Sequence, residues 1–222
     1  MQLALRNGIS FCQVGGRTVF LDIVADRYFC LSAVAECSFL RLVENGGSAT
    51  HEDACLSNLI SRDMLVRSSA AFAPRPCGPP PLPEASLLDR SMPRAGMTGA
   101  ASALCSLGAA RARLRVTGLA PTLSRLAARK ALLPCGSGAV EPLLERMMAG
   151  FVRASCIATL LDNCLAHSIA VASRMVAGGI RPDVILGVQL GPFAAHCWVQ
   201  HEDRIINDRF DMVRTFTPIL AI

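Results

Sequence analysis

The sequence predicts an α+β chain. A small winged-helix-like unit of three strands plus helices comes first, and a larger domain built on a buried helix and an antiparallel sheet follows. Three observations carry this. Residues 8–32 read as strands on either side of Gly15-Gly16, a pair suited to a tight hairpin turn. Residues 73–83 hold six prolines, which neither a helix nor a central strand tolerates. The run from Cys164 to Ala177 is apolar on nearly every face, as in a helix buried inside a domain, and period-two segments follow it.

In order, Ile9–Val14, Thr18–Ile23 and Arg27–Leu31 read as strands. Val34, Cys37, Phe39, Leu40 and Val43 recur at helical spacing, and Gly46-Gly47 stops that helix. Thr50 is expected to cap the next helix, with Asp53 three residues on completing a capping box. Met64–Val66 is a short extended tail. The outer strand of such a unit exposes backbone N–H and C=O groups that accept an extended peptide. A plain structural subdomain has the same pattern.

The proline-rich stretch is the best boundary. The expected division is 1–70 for the first domain, 71–97 for a linker and 98–222 for the second domain. Within the second, residues 98–133 carry leucines and alanines at helical spacing, with Pro121 in the first turn of a second helix. Val140–Val152 forms another. Gly178-Gly179 ends the buried helix, and strands are expected over Asp183–Leu190, Ala195–Gln200 and Arg204–Asp208.

The chain has 222 residues and a net charge of +5, carried almost wholly by arginine. The charge is scattered and forms no like-sign block, which argues against nucleic acid as a partner. Ten cysteines include no C-x-x-C pair, and the four histidines do not cluster with them at zinc spacing, so no metal is expected. No apolar run reaches the ~18 residues a membrane helix needs, and Met1–Arg6 lacks signal-peptide character. A cytoplasmic protein with reduced thiols is expected.

Three residues suggest chemistry. If Asp162 or Asn163 caps the buried helix, Cys164 lies in its first turn, where the macrodipole favours a thiolate. A histidine must then carry the counter-charge and protonate a leaving group. Strand alternation puts His196, Trp198 and Gln200 on one face and Cys197 on the other, which disfavours Cys197 as nucleophile. A register with His196 directly opposite Asp208, closed by the turn His201-Glu202-Asp203, lets that carboxylate fix the imidazole. Asp203 and Asp211 are weaker candidates. Taken singly, each residue has an ordinary structural reading; together, in this order, they suggest a cysteine nucleophile.

At these residues the chain resembles a known family. Cys164-Leu165, Gly187-Val188, Pro192-Phe193, Ala195-His196, Trp198-Val199 and Asn207-Asp208 resemble the transglutaminase-like core of the lasso peptide B proteins. Phe20-Leu21-Asp22 and Asp26–Ser32 resemble the leader-recognition domain related to the PqqD proteins, a recognition element for ribosomally made, modified peptides. The resemblance implies a papain-like cysteine peptidase domain without cofactor. Cys164 is then the nucleophile, His196 the general base and acid, and Asp208 the orienting carboxylate. It implies that Arg27, Tyr28, Phe29, Cys30 and Leu31 bind the leader of a precursor peptide by strand addition. It also implies an asparagine-synthetase-like lasso cyclase as partner. The family pattern has Ala where Cys197 stands, Glu where Gln200 stands, and a glycine in the turn where Glu202-Asp203 stands. Two alternatives stay open: another acyl-transfer enzyme on the same residues, a transglutaminase or amidase, and a non-catalytic scaffold presenting the precursor to a cyclase.

Overall fold

A computed structural model describes residues 2–49, 53–68, 73–78, 81–90, 93, 95–134, 140–155 and 164–222. The chain divides into two compact units, Met1–Gly78 and Pro79–Ile222.

The first unit runs β1 (Leu3–Leu5), β2 (Ile9–Val14), β3 (Arg17–Asp22), β4 (Arg27–Cys30), α1 (Ala33–Glu44), α2 (Ala54–Ser61) and β5 (Leu65–Arg67). The expected three-strand sheet forms in the order β2-β3-β4. Its first hairpin closes through Gly15 and Gly16 at φ +58° and +73°, a conformation that favours glycine. Strand β1 is an addition: it pairs antiparallel with β5, and the pattern of residues 3–5 is too short to register as a strand. Ser32 caps α1. The second cap differs from expectation. Asp53 itself caps α2, its Oδ1 accepting from Cys55 N–H at 2.8 Å and Leu56 N–H at 3.2 Å. Thr50 lies outside the described residues. Phe11, Phe20 and Phe39 fill the core, with Phe39 edge-on to both others at 5.0 Å between ring centroids.

The second unit contains β6 (Ala85–Ser86), α3 (Met97–Thr117), α4 (Leu119–Ala131), α5 (Glu141–Ser155), α6 (Cys164–Ala177), β7 (Asp183–Gln189), β8 (Ala194–His201), β9 (Arg204–Ile205), α7 (Phe210–Val213) and β10 (Thr217–Ala221). Helix α6 has the bounds its apolar pattern suggests, and Ala166, Ile169, Ala170, Val171 and Ala172 are fully buried. The five-stranded sheet has the order β10-β7-β8-β9-β6, antiparallel except for the parallel pair β6–β9. Residues 85–86, within the stretch read as linker, thus form an edge strand. Helix α6 packs on β8, and α3 packs on α5 and α6.

Helices α3 and α5 approach at Gly99 and Gly150. A Cβ on Gly150 would stand 2.8 Å from the Gly99 carbonyl oxygen, a backbone atom that cannot step aside alone. Gly150→Ala is therefore expected to destabilise the chain by about 1–3 kcal/mol in denaturant unfolding.

Candidate active site

Three elements of the second unit meet at one point. Cys164 is the first residue of α6, so its sulfur lies at the positive end of a buried helix. His196 lies on β8 and Asp208 follows β9. His196 Nε2 and Asp208 Oδ2 are 2.5 Å apart. The same imidazole lies near enough to the Cys164 thiol for each to shift the other's charge. Of the three residues singled out in the sequence, the structure joins His196 to Asp208 directly, and the Cys164 and His196 charges act on one another.

The electrostatics follow from that contact. Burial alone pushes the Cys164 thiol up. The His196 hydrogen bond and charge, with backbone hydrogen bonds from Cys197 and Leu165, outweigh it and bring the thiol below its ordinary value. For His196, burial opposes the charge, yet the Asp208 and Cys164 hydrogen bonds raise its pKa from 6.5 to about 9. Both shifts act in the direction that favours a thiolate beside an imidazolium. Cys197 behaves as its strand face suggests: it is buried, and that burial drives its thiol far up.

An apolar wall backs the ring. Phe216 lies 5.0 Å and Trp198 6.3 Å from His196 between ring centroids. Gly187 pairs with His196 across β7–β8, and a Cβ there would meet the Trp198 ring at 2.7 Å. Ile185, Ile205 and Val213 complete the cluster around Trp198.

The route by which Asp208 arrives corrects the expected register. The ladder pairs Gln200 with Ile205 and His201 with Arg204, one residue off the expected alignment. The turn is the two residues Glu202-Asp203, with Glu202 at φ +55° in the place where the family pattern has glycine. Strand β9 stops at Ile205, and Asp208 reaches His196 from a bend beyond the strand rather than from a paired position. Sequence reasoning also missed a buried polar set beside the site. Asn207 Oδ1 accepts from Val199 N–H at 2.7 Å, Asn207 Nδ2 donates to Ser168 Oγ at 2.9 Å, and Ser168 Oγ donates to the Cys197 carbonyl at 2.8 Å. A serine on the buried face of a mostly apolar helix was the available signal. Asp162 and Asn163, the expected caps, lie outside the described residues.

In the first unit, β4 is an end strand of its sheet. The opposite edge is partly covered, because Cys77 N–H donates to the Phe11 carbonyl on β2 at 2.9 Å. Beside β4 and α2 lies a cavity of about 460 Å³ with Ile9, Phe29, Leu59 and Met64 among its apolar lining and Arg27 and Arg62 among its polar lining. Of the five residues expected to bind peptide, Arg27, Phe29, Cys30 and Leu31 line it and Tyr28 does not. The Leu31 carbonyl already accepts from Arg17 Nη2 at 2.9 Å.

Among the described residues, no three His, Cys, Asp or Glu side chains lie close enough to hold a metal ion, and no helix is long and apolar enough to cross a membrane. Comparison with curated proteins and with solved structures gives no significant match. A family model described as the transglutaminase-like superfamily matches residues 106–221, just over half the chain and everything that carries Cys164, His196 and Asp208. By that match, the chain belongs to the transglutaminase-like superfamily and, within it, to the lasso-peptide-biosynthesis B-protein family.

Proposed function

We propose that the second unit is a cysteine endopeptidase that hydrolyses the leader–core bond of a lasso peptide precursor, and that the first unit binds the leader. One observation supports the reading: the His196–Asp208 contact, beside a helix-start Cys164 whose thiol is lowered by that same imidazole. The Cys164 thiolate attacks the carbonyl carbon of the scissile amide. The Cys164 backbone N–H, at the helix start, is the candidate donor to the oxyanion. His196 gives its proton to the leaving amine, the core peptide departs with a free N-terminus, and the leader remains as a thioester on sulfur. His196 then takes a proton from water, hydroxide attacks the thioester, and the leader carboxylate and the thiolate are restored. Asp208 holds the ring in orientation and stabilises its charge.

The core, with its amine exposed, passes to an asparagine-synthetase-like cyclase that uses ATP to close the ring. A cytoplasmic setting suits this: the eight described cysteines are free thiols.

Mass spectrometry of a synthetic precursor, taken from a short reading frame beside this gene and incubated with the full chain, tests the reading. Two fragments whose masses sum to precursor plus one water support a peptidase. An intact precursor that has lost ammonia identifies a transglutaminase, and an unchanged precursor that nevertheless binds identifies a scaffold.

Leader binding is expected to use main-chain bonds to the outer edge of β4, beside the cavity. A strand added there presents alternate N–H groups to β4. N-methylation of a labelled leader peptide at those alternate residues is expected to weaken binding by about tenfold or more. Methylation at the intervening residues leaves it nearly unchanged. Fluorescence anisotropy reads the difference, and equal losses along the peptide rule out strand addition.

A further inference from the structure

We propose that Asn207 is a positioning residue that breaks the β8–β9 ladder, and that without it Asp208 would not reach His196. The inference rests on the Cys164–His196–Asp208 reading above. In the observed register an uninterrupted ladder would set Asp208 opposite Cys197, on the far face of the sheet from His196. The ladder holds one step beyond β9, where Ile206 N–H donates to the Val199 carbonyl at 2.8 Å. The return bond, from Val199 N–H, goes not to the Ile206 carbonyl but to Asn207 Oδ1 at 2.7 Å. The side-chain amide thus takes the place of the next main-chain acceptor. It satisfies a buried donor, and the backbone is free to turn and bring Asp208 back to His196 Nε2.

The other end of the same amide ties this bend to the helix that begins with Cys164. Asn207 Nδ2 donates to Ser168 Oγ at 2.9 Å and lies 3.4 Å from His167 Nδ1. The Ser168 hydroxyl is committed to the Cys197 carbonyl, so its lone pairs face Asn207. Burial lowers the His167 pKa, which favours a neutral ring beside this amide. Ser168 is 0% and Asn207 7% exposed, so water does not replace these bonds. One side chain thereby locks α6, β8 and the bend into a single arrangement. Among the described residues, the titratable groups acting on the Cys164–His196 pair are Asp208 and Cys197, and His167 acts on Asp208.

The test is the pH profile of Cys164 alkylation by iodoacetamide in the full chain, read by peptide mass mapping, with a thermal melt on the same samples. Asn207→Leu keeps the side-chain size and removes both bonds without adding charge. The expected result is a rate about tenfold or more lower near pH 6, with a change of less than about threefold near pH 9.5, because an imidazole without Asp208 no longer sustains the thiolate. A merely structural asparagine would lower the melting temperature and leave the shape of the profile alone. Should Asn207→Leu fail to fold, Ser168→Ala removes only the helix-side link and is expected to give a fall of the same sign, about threefold. Variant profiles superimposable on the unmodified chain overturn the proposal. If the unmodified Cys164 itself shows no reactivity on the acid side, the nucleophile reading fails instead.

Discussion

Cys164→Ala is expected to lower leader release by about 10⁴-fold or more while leader affinity stays within about twofold. The sulfur is the only atom lost, and it is the atom that forms the thioester. The buried helix behind it is kept, since alanine suits the start of α6 and the neighbouring residues Ala166, Ile169 and Ala170 are unchanged. In the proposed reading leader affinity belongs to the first unit, which has its own core of Phe11, Phe20, Phe39 and Leu42. Release by mass spectrometry and binding by anisotropy therefore separate. Normal cleavage by this variant would end the peptidase assignment, and joint loss of binding and cleavage would show that Cys164 serves folding.

Asp208→Asn is expected to reduce kcat by about 10²–10⁴-fold and to move the alkaline limb of the kcat/KM profile toward acid by about one unit or more. The amide is nearly isosteric with the carboxylate, so the bend survives, but the charge facing His196 Nε2 is gone. In the intact site that contact helps raise the His196 pKa from 6.5 to about 9. The charged imidazolium is the form that protonates the leaving amine, so activity on the native chain falls as pH rises through about 9. The same shift has a stability counterpart. The folded-state pKa is raised, so the protonated ring stabilises the fold fully below about 6.5, and this contribution is lost as pH climbs through about 9. In the variant this contribution is smaller and its loss is complete at a lower pH. An unmoved alkaline limb in a thermally stable variant would remove Asp208 from the mechanism.

Much of the site was readable because it rests on local periodicity. The helical run 164–177 shows its bounds through apolar side chains on all faces, and Gly178-Gly179 closes it. Strand alternation alone separated His196 from Cys197, and the burial of Cys197 agrees with it. Register was not readable in the same way. A three-residue and a two-residue turn at 201–203 differ by one position, and that one position carries every later side chain to the other face. Within a regular ladder, only the three-residue turn puts Asp208 on the His196 face. The molecule uses the other alignment and restores the face with a bend.

Asn207 and Ser168 show why such a device is hidden from pattern reading. Each is one polar residue in an apolar neighbourhood, and its meaning lies in a partner about forty residues away along the chain. The short strands β1 and β6 are similar cases. Three and two residues carry too little periodicity to register, and each exists because another strand, β5 or β9, offers it a ladder.

The amino-acid sequence by itself determined the α+β class, the buried helix opening on Cys164, the strand face that His196 shares with Trp198, and the family signature across the second unit. Those properties depend on side-chain polarity over a few consecutive residues. Only the tertiary structure decided how a carboxylate arrives beside the imidazole, because that depends on ladder register and on one amide hydrogen-bonding to two elements at once. Local preference says which face a residue takes within its own strand, and only packing between strands says which residues then meet.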